Sequence, residues 1–206
     1  MACCGATVEM KFSAVILAGG ASRRMGRDKA WVEVKGQPLL PRAVATVRRT
    51  GASEVFISGR KGGNYAEVDC PVLFDLKPGG GPLGGIERAL GVMSSPLLLV
   101  LAVDMPKMTA AFLRKLVSHC DENTGVVPKV CGELEPLVAL YPKRCHAVVL
   151  EALRRKRLAA RYFAEVCLRE GIVRTFPIPA ADRRRFANCN SPGDLPVTAS
   201  QRKSKS

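Results

Sequence analysis

Apolar residues recur along the chain at two alternating spacings, which together predict a sheet covered by helices. Short apolar runs rich in β-branched residues are typical of buried strands, and we predict strands at 14–18, 54–58, 72–74, 97–103, 125–128 and 137–141. The run at 97–103 is apolar at every position, as expected for a central strand covered on both faces. The segment 172–178 contains Pro177, so we predict that it is an edge strand.

Between the strands, apolar residues follow helical spacing. Pro38 suits the first position of a helix whose buried stripe carries Leu40 and Val44, and a helix-like segment follows at 85–93. Strands and helices alternate from residue 13 to 120, and a mixed remainder follows. We therefore predict a three-layer α/β/α sandwich with a mostly parallel, Rossmann-like sheet.

Helical spacing dominates after residue 142. His146, Val149, Leu150 and Leu153 fall on one stripe of a predicted helix. We therefore interpret His146 as a partly buried packing residue rather than as a catalytic base.

The first strand runs into a segment whose composition suits an anion-binding loop. Residues 19–29 read Gly-Gly-Ala-Ser-Arg-Arg-Met-Gly-Arg-Asp-Lys. Glycines let backbone N–H groups approach a phosphate, and Arg23, Arg24, Arg27 and Lys29 bring positive charge to the same place. The expected ligand is a polyphosphate. The segment has neither Gly-x-x-x-x-Gly-Lys-Ser/Thr nor Gly-x-Gly-x-x-Gly, so the common ATPase and dinucleotide-binding folds are not expected.

Two aspartates follow predicted strands. Asp75 comes after the third strand and precedes a stretch rich in glycine and proline at 79–85, and Asp104 ends the central strand. A flexible linker is an alternative for 79–85, but the helical pattern immediately beyond it argues against one. Ligands of open α/β sheets bind beyond the carboxyl ends of the strands, where Asp104 and Gly19 would lie.

Length and composition indicate one globular domain. The chain has 206 residues, of which 47% are apolar and 24% charged. We place a single domain at 13–197, after an N-terminal extension at 1–12 and before a basic, disordered tail at 198–206. No apolar run approaches the ~20 residues that a membrane-spanning helix needs, and residues 1–11 lack a signal-peptide pattern. We expect a cytoplasmic protein without a membrane partner.

The formal net charge of +14 raises the alternative of nucleic-acid binding. Aromatic residues make up only 5% of the chain, and much of the excess charge lies in 154–157, 183–185 and the tail. Solvated basic faces and a substrate with several phosphates account for such charge, so we do not expect nucleic acid to be the main partner. The eight cysteines form no Cys-x-x-Cys pair, and a structural zinc site is not expected.

Residues 17–29 match the pattern Leu-Ala-Gly-Gly-x-Ser-x-Arg-Met-Gly-x-Asp-Lys at every fixed position. This pattern resembles the signature of nucleotidyltransferases that activate small molecules with a nucleoside triphosphate. Within them it is most similar to the molybdenum cofactor guanylyltransferase family. Three later segments resemble that family in the same order: Asp75 with Gly-Pro-Leu-Gly-Gly-Ile at 81–86, Glu-Pro-Leu-Val-Ala-Leu-Tyr at 135–141, and Asn-Cys-Asn-Ser-Pro at 188–192.

The resemblance implies an enzyme that transfers GMP from GTP to the terminal phosphate of molybdenum-bound molybdopterin and releases pyrophosphate. Arg24 and Lys29 would neutralise phosphate charge, Asp104 would hold Mg²⁺, and Glu135 and Asn190 would border the acceptor pocket. The nucleotide contacts that it implies are Leu17, Ala18, Gly19, Gly20, Lys29, Ser58, Asp75 and Asp104. Ser58 departs from the family pattern, which usually has asparagine at that position.

Other functions are open at this point. A phosphate monoester is largely ionised at neutral pH because its second pKa lies near ~6, so an acceptor of this kind needs no general base. A cytidylyltransferase or another small-molecule nucleotidyltransferase would share the fold, although cytidylyl enzymes resemble Leu-Ala-Ala-Gly where this chain has Leu-Ala-Gly-Gly at 17–20. A non-catalytic module that binds polyanions or nucleic acid is an alternative of another class. The resemblance also leaves open molybdoenzymes or their chaperones as recipients of the product.

Overall fold

The computed structural model of the chain describes residues 10–19, 29–76 and 79–188. Within these ranges the backbone forms an eight-stranded sheet and a separate two-stranded hairpin. The strands are β1 (Phe12–Leu17), β2 (Glu33–Val34), β3 (Gln37–Pro38), β4 (Glu54–Gly59), β5 (Val72–Phe74), β6 (Leu97–Ala102), β7 (Gly125–Val130), β8 (Glu133–Leu134), β9 (Val138–Pro142) and β10 (Val173–Pro177).

The main sheet has the order β10-β7-β9-β6-β1-β4-β5, with β8 paired to β7. β1 is parallel to β4 and β6, β5 is parallel to β4, and β10 is parallel to β7. β9 is antiparallel to both of its neighbours. The mostly parallel sheet is confirmed, and β10 lies at its edge as its proline predicts.

Helices cover both faces of the sheet. They are α1 (Leu39–Arg48), α2 (Gly81–Val92), α3 (Ala110–Val117), α4 (Cys145–Arg154) and α5 (Ala160–Arg169), and 3₁₀ turns occur at Lys29–Trp31 and Ala180–Phe186. The buried residues of α1 and α3 belong to one apolar cluster, and those of α2, α4 and α5 belong to another. β6 contributes alternate residues to the two clusters, since side chains of a strand alternate between faces. The predicted three-layer α/β/α sandwich is confirmed.

Three local predictions need correction. α2 begins at Gly81 rather than at residue 85, because Pro82 needs no hydrogen-bond partner in the first turn of a helix. Pro38 precedes α1 with an extended backbone, and the first helical residue is Leu39. Leu150 is 46% exposed, whereas the buried face of α4 carries Cys145, Val149 and Ala152 at i, i+4 and i+7. His146 is partly buried, as predicted.

Because several neighbouring strands are parallel, their carboxyl ends lie at the same edge of the sheet, which we call the carboxyl edge. β1, β4, β5 and β6 all end there, so Gly19, Asp75 and Asp104 follow strands at that edge. β9 runs in the opposite direction and begins there, because Val138 pairs with Leu101 near the end of β6. The segment that carries Glu135 therefore reaches the same edge.

A search of the described ranges finds no helix that is both long and apolar enough to cross a membrane.

Candidate active site

An ion pair joins the first half of the chain to the end of the central strand. Lys29 begins the 3₁₀ turn after the glycine-rich segment, and its Nζ donates to Asp104 Oδ2 at 2.7 Å. About four fifths of each side chain is buried, since their exposed fractions are 19% and 20%. A charge pair that is largely shielded from water interacts more strongly than an exposed one. Two residues that the sequence singles out are thus in direct contact.

The two carboxylate oxygens of Asp104 differ in their contacts with the described residues. Asp104 Oδ1 is buried and has no hydrogen-bond partner among the described residues. A buried carboxylate oxygen without a partner is costly, and hard divalent cations bind such oxygens. The described ranges contain no cluster of three or more histidine, cysteine or acidic residues that could hold a metal by themselves. Asp104 therefore fits a cation whose remaining ligands are not side chains of such a cluster in the described ranges.

Backbone hydrogen bonds hold the end of β1 between its neighbours. Ala18 N donates to Ser58 O at 2.9 Å, and Val103 N donates to Leu17 O at 3.2 Å. Gly19 is exposed, and a Cβ added to it would lie 3.5 Å from the carbonyl carbon of Gly59, an ordinary contact. The described part of the protein would therefore tolerate a Cβ at Gly19, which would pack against the backbone of β4.

The ring of Tyr65 packs beside the end of β4, and the sequence analysis did not predict this contact. A Cβ on Gly59 would lie 2.7 Å from the ring of Tyr65, and one on Gly63 would lie 2.6 Å from it. The Tyr65 hydroxyl accepts a hydrogen bond from the backbone N–H of Arg60. Trp31 Nε1 donates to Asn64 O, which ties this loop to the 3₁₀ turn that carries Lys29. The glycines at 59 and 63 are a signal in hindsight, because rings pack closely on residues without a side chain.

The first turns of α2 pack directly against two predicted site residues. A Cβ on Gly84 would lie 2.6 Å from Asp75 Oδ2, and one on Gly85 would lie 2.2 Å from Ser58 Oγ and 3.0 Å from Leu17 Cδ2. Ser58 is only 6% exposed, and its side chain faces α2. Burial raises the pKa of Asp75, and the nearby Glu87 carboxylate raises it further. The two glycines thus allow α2 to approach the ends of β4 and β5.

Glu135 lies on the other side of Asp104, before β9. Burial raises the pKa of Glu135, the positive charge of Arg161 opposes this increase, and the negative charge of Asp104 adds to it. Arg161 also forms an ion pair with Glu133 on β8. Glu135 is therefore within electrostatic range of Asp104. Both a positive side chain, Arg161, and a negative one, Asp104, act on its carboxyl group.

Three predicted site residues lie outside the described ranges: Gly20, Arg24 and Asn190. The described ranges bring together Lys29 with Asp104, Leu17 with Ser58, and Asp75 with the start of α2. They place Gly19 beside the end of β4.

The class of protein follows from where these groups meet. Charged side chains at the carboxyl edge of a mostly parallel sheet, beside a glycine that follows the first strand, are typical of an α/β nucleotide-binding enzyme. Comparison with known proteins gives the family. Residues 14–169 match the MobA-like NTP transferase domain, and the chain belongs to that family.

Relatives agree over most of the chain. A protein of Opitutus terrae named as a probable molybdenum cofactor guanylyltransferase is 36% identical over 182 residues, which cover 87% of this chain and 90% of the relative. A molybdenum cofactor guanylyltransferase of Xanthomonas euvesicatoria is 32% identical, over 90% of this chain and 93% of the relative. The crystal structure of molybdopterin-guanine dinucleotide biosynthesis protein A from Archaeoglobus fulgidus has the same fold, with a TM-score of 0.71 and 23% identity over 89% of this chain and 94% of that one.

Proposed function

We propose that this protein transfers GMP from GTP to the terminal phosphate of molybdenum-bound molybdopterin, forming molybdopterin guanine dinucleotide and pyrophosphate. The names of relatives that match almost the whole chain support this choice of substrates. The observation that carries the chemistry is the contact between Lys29 and Asp104 at the carboxyl edge of the sheet. The position of this contact beyond the carboxyl ends of parallel strands supports a role for both side chains at the phosphates of a nucleotide.

The reaction requires little covalent chemistry from the protein. An oxygen of the acceptor phosphate attacks the α-phosphorus of GTP, and a new P–O bond forms. The bond from that phosphorus to the bridging oxygen of the β-phosphate breaks, and pyrophosphate leaves with the electron pair. Lys29 neutralises charge on the phosphates as the bond breaks, which is electrostatic stabilisation of the transition state. The acceptor phosphate is already ionised at neutral pH, so no side chain has to remove a proton from it.

Asp104 is the residue that would hold Mg²⁺, since its buried Oδ1 has no partner among the described residues. When bound, Mg²⁺ supplies positive charge that offsets the charge of the triphosphate and of the departing pyrophosphate. Asp104 Oδ2 meanwhile orients the ammonium group of Lys29. A single carboxylate thus serves the cation through one oxygen and the lysine through the other.

We place the nucleotide over β1, β4 and the start of α2, and the acceptor beside β9. We assign the base to the exposed Gly19, where a Cβ would make only ordinary contacts with the described part of the protein. Asp75 lies at the same edge and suits the nucleotide as a hydrogen-bond acceptor. Glu135, with Arg161 nearby, borders the acceptor side.

The test is an assay of pyrophosphate release with molybdenum-loaded molybdopterin, Mg²⁺ and each of GTP, CTP, ATP and UTP. We expect release with GTP that requires the acceptor, together with chromatographic detection of the guanine dinucleotide. The Asp104→Asn variant is the control for contaminating activity.

Two outcomes would overturn parts of this proposal. Release with CTP but not GTP would show a cytidylyltransferase and would refute the choice of base. The absence of pyrophosphate with all four nucleotides, together with salt-sensitive retention on a polyanion column, would favour the non-catalytic binding module.

A further inference from the structure

Trp31, the only tryptophan of the chain, connects the turn that carries Lys29 to a second segment at the carboxyl edge. It ends the 3₁₀ turn Lys29–Trp31, and its Nε1 donates to Asn64 O at 3.0 Å. Asn64 belongs to residues 60–65, which follow β4 and which we call the Tyr65 loop. Because 33 residues separate donor from acceptor, this hydrogen bond joins two distant parts of the chain.

The Tyr65 loop is held by contacts of its own. The Tyr65 side chain is largely buried, and its hydroxyl accepts a hydrogen bond from Arg60 N at 2.9 Å. Gly63 N donates to Arg60 O at 3.1 Å, which closes the loop a second time. A Cβ on Gly63 would lie 2.6 Å from the Tyr65 ring, so the backbone of the loop packs directly on that ring. The Asn64 carbonyl is thus presented to Trp31 by a segment with several internal contacts.

The Tyr65 loop also begins beside the end of β1. It follows directly from Gly59, whose carbonyl carbon would lie 3.5 Å from a Cβ on Gly19. In the turn that Trp31 ends, Lys29 Nζ donates to Asp104 Oδ2 at 2.7 Å. The indole hydrogen bond therefore joins the segment beside the residue assigned to the base to the turn that carries the ion pair.

Apolar packing accounts for the ring of Trp31 but not for its N–H contact. Trp31 is partly buried against the apolar cluster that contains the buried residues of α1 and α3, and Ala30 before it is fully buried there. An aromatic ring without a donor could make the same apolar contacts. The indole N–H is thus the part of Trp31 that specifies where the turn meets the Tyr65 loop.

We propose that Trp31 is a positioning residue for Lys29, and this inference rests on the proposed role of Lys29 at the phosphates of GTP. The stem of a lysine is flexible, so the position of its ammonium group depends on how firmly its backbone is held. The indole N–H holds that backbone against the Tyr65 loop and keeps the ammonium group in a defined position relative to the base. Electrostatic stabilisation of a transition state depends on such preorganisation.

Trp31→Phe tests the inference, because it keeps an aromatic ring and removes the N–H donor. We expect kcat for GMP transfer to fall by roughly 2- to 10-fold, the range expected for the loss of one hydrogen bond. KM for GTP should change less, because Lys29 acts on the phosphates as the bond breaks. In the Lys29→Met protein the same change should have no further effect, since the residue through which Trp31 acts is absent.

Three results of this experiment would refute the inference. They are a Trp31→Phe variant with the wild-type kcat, a loss confined to KM, and equal fold losses in the wild-type and Lys29→Met backgrounds. Replacement of Trp31 by benzothienylalanine, in which sulfur takes the place of the indole N–H, keeps both rings. It should give the same loss of kcat, and a wild-type kcat with this analogue would show that the N–H has no role.

The matched control is Thr50→Val. Thr50 Oγ1 is buried and donates to Val47 O at 2.6 Å, so valine also removes one hydrogen bond from a side chain to the backbone while keeping the shape of the residue. Thr50 precedes β4, at the opposite edge of the sheet. Its replacement should lower the free energy of unfolding and leave kcat unchanged. A loss of kcat as large as that of Trp31→Phe would show that destabilisation alone is sufficient, and would refute the positioning role.

A measurement without nucleotide separates this inference from the proposed function. The coupling free energy between Lys29 and Asp104, obtained from urea unfolding of Lys29→Met, Asp104→Asn and the double variant, should be smaller in the Trp31→Phe protein than in the wild type. An unchanged coupling would refute the inference even if the wild type transfers GMP. A reduced coupling in a protein that transfers GMP to no acceptor would refute the proposed function alone, and the placement of Lys29 by Trp31 would stand.

Discussion

The strength of the contact between Lys29 and Asp104 can be measured with a double-mutant cycle, and the structure predicts the size of the coupling free energy. A hydrogen bond to a charged group contributes roughly 1.5–3 kcal/mol, and an exposed ion pair contributes roughly 0–1 kcal/mol. The Nζ–Oδ2 distance is 2.7 Å, and the side chains are 19% and 20% exposed, so this pair lies between the two limits. We expect a coupling free energy of about 1 to 2 kcal/mol.

The cycle uses Lys29→Met, Asp104→Asn and the double variant, unfolded in urea without nucleotide or Mg²⁺. Each single change removes the contact between the two charges, so the double variant should lose less stability than the sum of the two. Additive losses would mean that the contact contributes nothing to the fold in solution.

The same variants then separate the two proposed catalytic roles. Lys29→Met should lower kcat/KM by about 2 to 4 kcal/mol, or roughly 30- to 1000-fold, because the phosphates lose a positive charge. Asp104→Asn should lower kcat/KM and also raise the Mg²⁺ concentration needed for half-maximal rate. Glu135→Gln is the matched control for the Mg²⁺ requirement alone, since Glu135 is assigned to the acceptor side and its replacement leaves the buried Oδ1 of Asp104 intact. Asp104→Asn with a near wild-type rate at limiting Mg²⁺ would refute the metal role.

Three further predictions concern single residues. Gly19→Ala should lower kcat/KM for GTP by about 1 to 3 kcal/mol and affect CTP less, while the free energy of unfolding stays nearly constant because its Cβ would be no closer than 3.5 Å to the described part of the protein. An unchanged preference for GTP would show that the base is selected elsewhere. Gly59→Ala should lower the free energy of unfolding by about 1 to 3 kcal/mol, as its Cβ would lie 2.7 Å from Tyr65 and 2.9 Å from Val72; an unchanged Tm would contradict this. For Glu54, burial acts to raise the pKa, but its hydrogen bonds outweigh burial, and the pKa falls below the ordinary 4.5. The contribution of Glu54 to stability is thus present above pH 4.5 and is lost as the pH decreases through its lower folded-state pKa. The free energy of unfolding of Glu54→Gln should therefore decrease less between pH 6 and pH 3 than that of the wild type.

The sheet could be predicted from the sequence because its strands carry a strong local signal. β6 is apolar at every position, and the structure buries every one of its residues between two helical layers. The end of such a strand is a sharp boundary, so Asp104 could be placed at the carboxyl edge without knowledge of the fold. Its contact with Lys29 needed the structure, because 75 residues separate the two along the chain.

The environment of Asp75 could not be predicted, because it depends on how α2 packs against the end of β5. Periodicity identified His146 as partly buried, but it carries no information about which residue of another helix lies opposite. Glu87 gave no signal of its own, as a glutamate in a helix is ordinarily solvated. The start of α2 was also missed, since two prolines and several glycines between 78 and 85 are typical of a turn.

The glycines of the site fall into two groups, and the difference explains why a glycine-rich motif is hard to interpret from sequence. Gly59, Gly84 and Gly85 lack a Cβ because protein atoms occupy that space, namely the ring of Tyr65, the carboxylate of Asp75 and the hydroxyl of Ser58. Glycine within a helix costs roughly 0.5–1 kcal/mol relative to alanine, so Gly84 and Gly85 destabilise α2 locally. In return, they let α2 pack closely against the ends of β4 and β5. A Cβ at Gly19 would meet only ordinary contacts from the residues that the structure describes, so this part of the protein does not require glycine there. Replacing a glycine whose Cβ would meet no close contact in the described residues should change ligand binding without changing stability. Gly19, rather than any glycine of α2, is therefore the position to test for recognition of the base.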